Sequence, residues 1–254
     1  MYPLRFALIL APILASVSPS KASIVFNWPN PPGWTAGTPG QGATVSQSFT
    51  SVNTNDINVQ IQNNGVNVQG TYPQINSTTS TGGFTNVNGL QLYISSTPQF
   101  GNTLTTTISF ASPVTNLSFE IWDVDAKSGQ FADMITNLKA LAPDGVTIFG
   151  ASSVTSAVPG YNTITGTGLS TVVLGTASAA NNTNQGTIDI TFGQPLTQFS
   201  FDWLNNDNGR GAQAIAIGPL TYDPVPEADS AMGAAAACLT AILFERRNRK
   251  SRKR

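Results

Sequence analysis

The chain has 254 residues, a formal net charge of −1 at pH 7, no histidine and one cysteine, Cys238. These counts exclude histidine-dependent triads, cysteine nucleophiles in the body of the chain, ordinary zinc sites and any internal disulfide. The near-neutral total hides an uneven distribution: residues 23–224 carry Lys127, Lys139 and Arg210 against ten carboxylates, so 3 − 10 gives −7, while seven of the twelve basic residues fill the last nine positions. An acidic domain of this kind offers nothing to neutralise phosphates, which argues against nucleic acid and anionic lipid as partners.

At the start, Arg5 is followed by the apolar stretch FALILAPILASV and then by Ser20-Lys21-Ala22, with small residues where a signal peptidase reads. The pattern predicts a signal helix over residues 1–22, cleaved after Ala22. As a permanent span it is short of the roughly 20 apolar residues needed, and Pro12 interrupts it.

Residues 23–224 read as an exported ectodomain built from strands. Trp28 and Trp34 flank the stretch NWPNPPGW, which is too rich in Pro, Asn and Gly for regular strand and is expected to be a surface loop, where flat aromatic faces could stack on sugar rings. Ile57, Val59 and Ile61 alternate with polar residues, Asn64-Gly65 supplies a turn, and Val66 and Val68 alternate again, which predicts a hairpin. Asn88-Gly89 opens LQLYIS, and Pro143-Asp144-Gly145 separates ITNLKAL from VTIF with the same punctuation. No helical period persists beyond about two turns. The expected fold is all-β, a single antiparallel β-sandwich with jelly-roll-like connections.

An internal repeat sharpens that expectation. ISFASPVTNLSFEIWDVD at 108–125 aligns without gaps to ITFGQPLTQFSFDWLNND at 190–207, with Ile108/Ile190, Phe110/Phe192, Pro113/Pro195, Thr115/Thr197, Ser118/Ser200, Phe119/Phe201 and Asp125/Asp207 identical. Each copy reads as a strand, a proline-containing turn, a second strand and an acidic loop. Trp122 and Trp203 are offset by one position between the copies and are expected on opposite faces, with buried structural tryptophan the plainer reading of both.

Asp123, Asp125 and, beyond Gly129, Asp133 form the densest acidic cluster. Carboxylates at i and i+2 in a loop can converge on a hard cation such as Ca2+, but the spacing is not that of an EF-hand, because the sixth residue from Asp123 is Ser128 and the twelfth is Met134. Asp side chains capping local turns are the plainer reading. The second copy, with Asn205, Asn206, Asp207 and Asn208, has oxygen donors but fewer charges. Glu120 and Asp202 occupy equivalent positions and could form the paired carboxylates of a glycan hydrolase, although no motif marks them as catalytic.

The last thirty residues combine Val225-Pro226-Glu227, fourteen uncharged and mostly apolar residues from Ala231 to Phe244, and the basic tail. This three-part order resembles the C-terminal sorting signal of PEP-CTERM proteins, with Pro226-Glu227-Ala228 departing from the typical Pro-Glu-Pro at its third position. Fourteen residues at 1.5 Å each reach only roughly 21 Å of a roughly 30 Å hydrocarbon core, enough for transient membrane insertion through a C-terminal helix. The resemblance covers about thirty residues. It implies export by a bacterium and processing of segment 225–254 by an exosortase-like protease. A Phe-rich strand ending in Asp-x-Asp and the late Ala-Ile-Ala-Ile-Gly at 214–218 also resemble the β-sandwiches found ahead of such tails. The expected function is a surface-retained or extracellular-matrix protein, non-catalytic and able to bind polysaccharide. The alternatives are a carboxylate-dependent glycan hydrolase and an inert anchoring module for another envelope protein.

Overall fold

The computed structural model describes residues 22–50, 55–95 and 101–225. The expected signal helix, the C-terminal hydrophobic helix and the basic tail lie outside the described residues, as do Pro226 and Glu227 of the tripeptide. In chain order the strands are β1 (Ile24–Phe26), β2 (Thr44–Phe49), β3 (Ile57–Asn64), β4 (Gln74–Asn76), β5 (Gly89–Ile94), β6 (Thr103–Trp122), β7 (Ala126–Lys127) and β8 (Phe131–Leu141). They continue with β9 (Ile148–Gly150), β10 (Ser153–Ser156), β11 (Asn162–Thr165), β12 (Val172–Gly175), β13 (Ile188–Phe192), β14 (Leu196–Asn205), β15 (Gln213–Ile217) and β16 (Leu220–Pro224). All pairings between them are antiparallel, and the described residues contain no helix.

The strands form a β-sandwich whose two layers share β6. Its first half pairs with β3 and β14, which extend through β2 on one side and β8 on the other, with β9 and β12 dividing the far edge of β8 and β11 beyond β12. Its second half pairs with β13 on one side and with β16 and β15 on the other, extended by β10, β1, β5 and β4. Phe119 from the second layer stacks on Phe199 from the first with ring centroids 4.6 Å apart, and Phe110 meets Tyr222 at 5.2 Å. These rings sit at the centre of the buried core.

The repeat takes on a specific architectural meaning. In the first copy, inward positions fall on Ile108, Phe110 and Val114 and then on Leu117, Phe119 and Ile121, a change of parity at Asn116, whose φ is +51°. In the second copy they fall on Ile190, Phe192 and Leu196 and then on Phe199, Phe201 and Trp203, with a register shift between Leu196 and Gln198. Each copy therefore crosses from one layer to the other and switches its inward face at the same aligned position. The crossings run in opposite directions and pair with each other: Ile108 lies opposite Phe199, and Ile190 opposite Phe119.

Two local expectations are corrected. Val66 and Val68 do not fold back on β3, which pairs with β2 and β6 along its length; Val68 instead bridges to Ile94. Pro113 is not in a turn, because β6 runs through it as one strand. It sits where the strand leaves one layer for the other, and its carbonyl accepts from the Val225 amide at 3.2 Å. The Pro143-Asp144-Gly145 hairpin forms as expected, with Asp144 Oδ1 accepting the Val146 and Thr147 amides at 2.9 and 2.8 Å.

A left-handed backbone at Asn116 excludes β-branched side chains. Asn116→Val is expected to lower unfolding free energy by roughly 1–3 kcal/mol in denaturant melts, with Asn116→Gly close to the parent. Equal stability of the two variants would show that the face switch does not depend on that conformation.

Candidate functional site

On the outer face of the second layer, β6 and β13 present Glu120 opposite Asp189 and Ser118 opposite Thr191. Trp122, two residues on from Glu120, also turns outward, yet it is fully buried, because a glycine lies against its ring on each of three sides. A Cβ at Gly82, Gly89 or Gly218 would stand 2.4, 2.8 or 2.8 Å from the indole. Phe84 covers the remaining side, with its centroid 5.4 Å from Trp122 and 44 % of its own surface exposed. The indole Nε1 donates to Glu120 Oε2 at 2.5 Å, and the Gly218 amide donates to the Glu120 carbonyl at 2.9 Å.

The result is a groove of about 470 Å³ bounded by Phe84 and Val25, with Glu120, Asp189, Thr191 and Thr221 along it. Burial raises the Glu120 carboxyl above the ordinary range, the Trp122 hydrogen bond opposes that rise, and the charge of Asp189 adds to it. One apolar ring beside two carboxylates and several hydroxyls can hold a sugar ring by one face and bond its hydroxyls from the side.

Asp202, which the repeat alignment pairs with Glu120, is elsewhere. It belongs to the first layer, on the side away from the core, where its two oxygens accept from Thr105 Oγ1 at 2.5 Å and Asn137 Nδ2 at 2.6 Å. The carboxylate beside Glu120 is Asp189. Sequence reasoning missed it because the pairing of β13 with β6 is set by the tertiary fold, although its outward placement follows from the inward Ile188, Ile190 and Phe192.

Trp28 is not a surface platform. It is buried, its Nε1 donates to the Gly218 carbonyl at 2.8 Å, and it packs edge-on against Phe26 and Phe49. Trp34 is half-buried, tilted against Phe49, and donates to the Gly37 carbonyl. Trp203 lies in the core, so the two tryptophans of the repeat do take opposite faces.

The acidic cluster is buried rather than solvated. Asp123, with φ +66°, ends β6, and its Oδ2 accepts from Ser80 Oγ at 2.8 Å. Asp125 Oδ2 accepts the Ala179 amide at 2.7 Å. Asp133 is fully buried, with Oδ1 accepting Trp203 Nε1 at 2.7 Å and Oδ2 the Asp125 amide at 3.1 Å. Among the described residues, no three Asp, Glu, His or Cys side chains are grouped so as to hold a metal ion. Asp133 anchors the Trp203 indole. In the second copy, Asn205 Oδ1 accepts the Ala132 and Asp207 amides and Asp207 Oδ1 accepts that of Gly209, so these side chains cap the turn after β14.

No protein-family model matches the chain, and no curated protein matches it. Among solved structures, it is similar to a carbohydrate-binding module, TmCBM27, described for specific mannan recognition, at 14 % identity and a TM-score of 0.34 over 71 % of this chain and 96 % of that one. It is also similar to the family 11 carbohydrate-binding module of the cellulosomal cellulase Lic26A-Cel5E of Clostridium thermocellum, at 13 % identity and a TM-score of 0.30 over 72 % of this chain and 89 % of that one.

Burial raises the carboxyl of Asp123 to about 7, against the opposing Ser80 hydrogen bond and with help from the charge of Asp125. Burial likewise raises Asp125 and carries Asp133 well above the usual range. Carboxyls raised on folding hold protons that the unfolded chain has already lost, so they stabilise below pH 4 and lose that contribution as pH rises. In metal-free buffer, unfolding free energy is expected to fall between about pH 4 and pH 7, by up to about 1.4 kcal/mol per pH unit for each titrating group. Asp123→Asn should flatten the curve in pH-dependent melts; a parent curve that rises steadily across this window would contradict the assignment.

Proposed function

We propose that the chain is an exported bacterial surface protein whose β-sandwich binds a neutral polysaccharide along the Phe84 groove without cleaving it. The observation that carries this reading is the groove itself: an exposed aromatic ring held in place by a buried tryptophan, beside the cross-strand carboxylates Glu120 and Asp189. The acidity of residues 23–224 favours an uncharged glycan over a polyanion. Export and retention rest on the two terminal segments: a signal peptide removed after Ala22, and a tail that inserts transiently in the membrane and is cut near Val225-Pro226-Glu227 by an exosortase-like protease.

Phe84→Ala is expected to weaken binding to a responsive polysaccharide, found by affinity electrophoresis, by roughly thirtyfold or more. Because the ring is partly exposed, the melting temperature should change little. Unchanged affinity in Phe84→Ala would remove the groove from the binding site. Mass spectrometry of envelope and medium fractions is expected to find a species beginning at residue 23 and lacking the basic tail; an intact terminal peptide in every fraction would count against processing.

Hydrolysis is the second reading, favoured by a raised Glu120 beside a second carboxylate. Here Glu120 would donate its proton to the glycosidic oxygen as the C–O bond breaks, and Asp189 would accept the proton of the attacking water. Reducing-end assays on any bound polysaccharide decide between the two: turnover lost in Glu120→Gln with binding kept supports hydrolysis, and no turnover by the parent supports binding alone.

A further inference from the structure

The loop that follows β6 carries the paired carboxylates Asp123 and Asp125 into a cavity of about 300 Å³, separate from the groove. Both side chains are buried, at 6 % and 5 % exposure. Each has a donor on Oδ2, Ser80 Oγ for one and the Ala179 amide for the other. Gln213, the first residue of β15, lines the same cavity and is 2 % exposed, yet neither its Oε1 nor its Nε2 has a hydrogen-bond partner.

Gln213 contrasts with a second buried glutamine, Gln91, on the adjacent strand β5. Gln91 is equally buried, and its amide is fully engaged, with Oε1 accepting the Ser80 amide at 3.0 Å and Nε2 donating to the carbonyls of Ser80 and Asn76 at 3.0 and 3.3 Å. A buried amide with no partner has given up its hydrogen bonds to water for nothing in return, and native folds rarely leave one without a use. An unsatisfied amide oxygen thus lies on the same cavity as two carboxylates.

We infer that Asp123, Asp125 and Gln213 form a site for a hard divalent cation of the calcium type. Such ions take carboxylate, amide-carbonyl and water oxygens together, six to eight at about 2.3–2.6 Å, and tolerate the irregular geometry that loops provide. A cavity of this size leaves room for the waters that complete the shell. Magnesium, which demands a tight octahedron, suits two adjacent loop carboxylates less well. Lys127 stands at the exposed rim of the cavity. Asp133 does not line this cavity, and its two oxygens accept from Trp203 and the Asp125 amide.

The test is calorimetric titration of the chelator-treated full-length chain with calcium chloride, with magnesium chloride in parallel and melting followed at each point. One saturable site is expected, with calcium preferred and a melting-temperature rise of roughly 5–10 °C at a hundredfold excess over Kd. Asp123→Asn should weaken calcium binding at least tenfold, whereas Asp202→Asn, in the other layer, should leave it unchanged. Gln213→Glu supplies a third carboxylate and should tighten binding even if Asp123→Asn fails to fold. No heat and no thermal shift with either ion would overturn the site, as would calcium binding that is indifferent to both Asp123→Asn and Gln213→Glu.

Discussion

A strand that belongs to both layers of a sandwich must keep apolar side chains pointing at the core on either side of its crossing. β6 meets this constraint by changing phase: even positions point inward up to Val114 and odd ones from Leu117, with the left-handed Asn116 absorbing the difference. Without the switch, Ser118, Glu120 and Trp122 would turn into the core and Phe119 out of it, because a one-residue slip exchanges the faces of a strand. The second repeat copy makes the same switch between Leu196 and Phe199, the residues aligned with Val114 and Leu117. β8 does so at Asn137, also at φ +51°, with Asp133 and Ile135 inward before it and Leu138 and Ala140 after it. The groove follows from this phase, since it places Glu120 and Trp122 on the outside.

Trp122 is the second element that organises the surface. An outward tryptophan on a sheet face would ordinarily be exposed, but the missing side chains at Gly82, Gly89 and Gly218 let three backbone segments close on the ring. Burial leaves the indole N–H needing an acceptor, and Glu120 supplies it. One ring thereby fixes the rotamer of a carboxylate and supports Phe84. The same Gly218 carbonyl accepts from Trp28, which ties the groove to the aromatic cluster around Phe49.

Period-two alternation made the all-β fold legible in the sequence, and the Pro-Asp-Gly hairpin was legible because its turn chemistry is local. Asn64-Gly65 carried an equally local signal, yet β3 found a better partner in β6, forty-odd residues away, and long-range pairing overrode the turn. The repeat was visible, but the antiparallel pairing of its two copies was not, and that pairing gives Glu120 the neighbour Asp189 in place of Asp202. The face switch did leave a trace: Thr-Asn-Leu occurs at 115–117 and again at 136–138, each time with inward residues three apart where two would be regular. Gln213 had no such trace, since its lack of partners is a property of the packed interior.

The first and last strands of the sandwich are neighbours. β1 lies antiparallel to β16, with Ile24 opposite Tyr222 and Ser23 Oγ donating to Asp223 Oδ1 at 2.5 Å. The chain therefore enters and leaves this domain at one corner. Tension between residues 22 and 225 opens that short ladder one bond at a time, like a zip. Force entering through β16 alone runs along its ladder with β6, where several hydrogen bonds resist together. Mechanical strength thus depends on whether the domain is held by one end or by both.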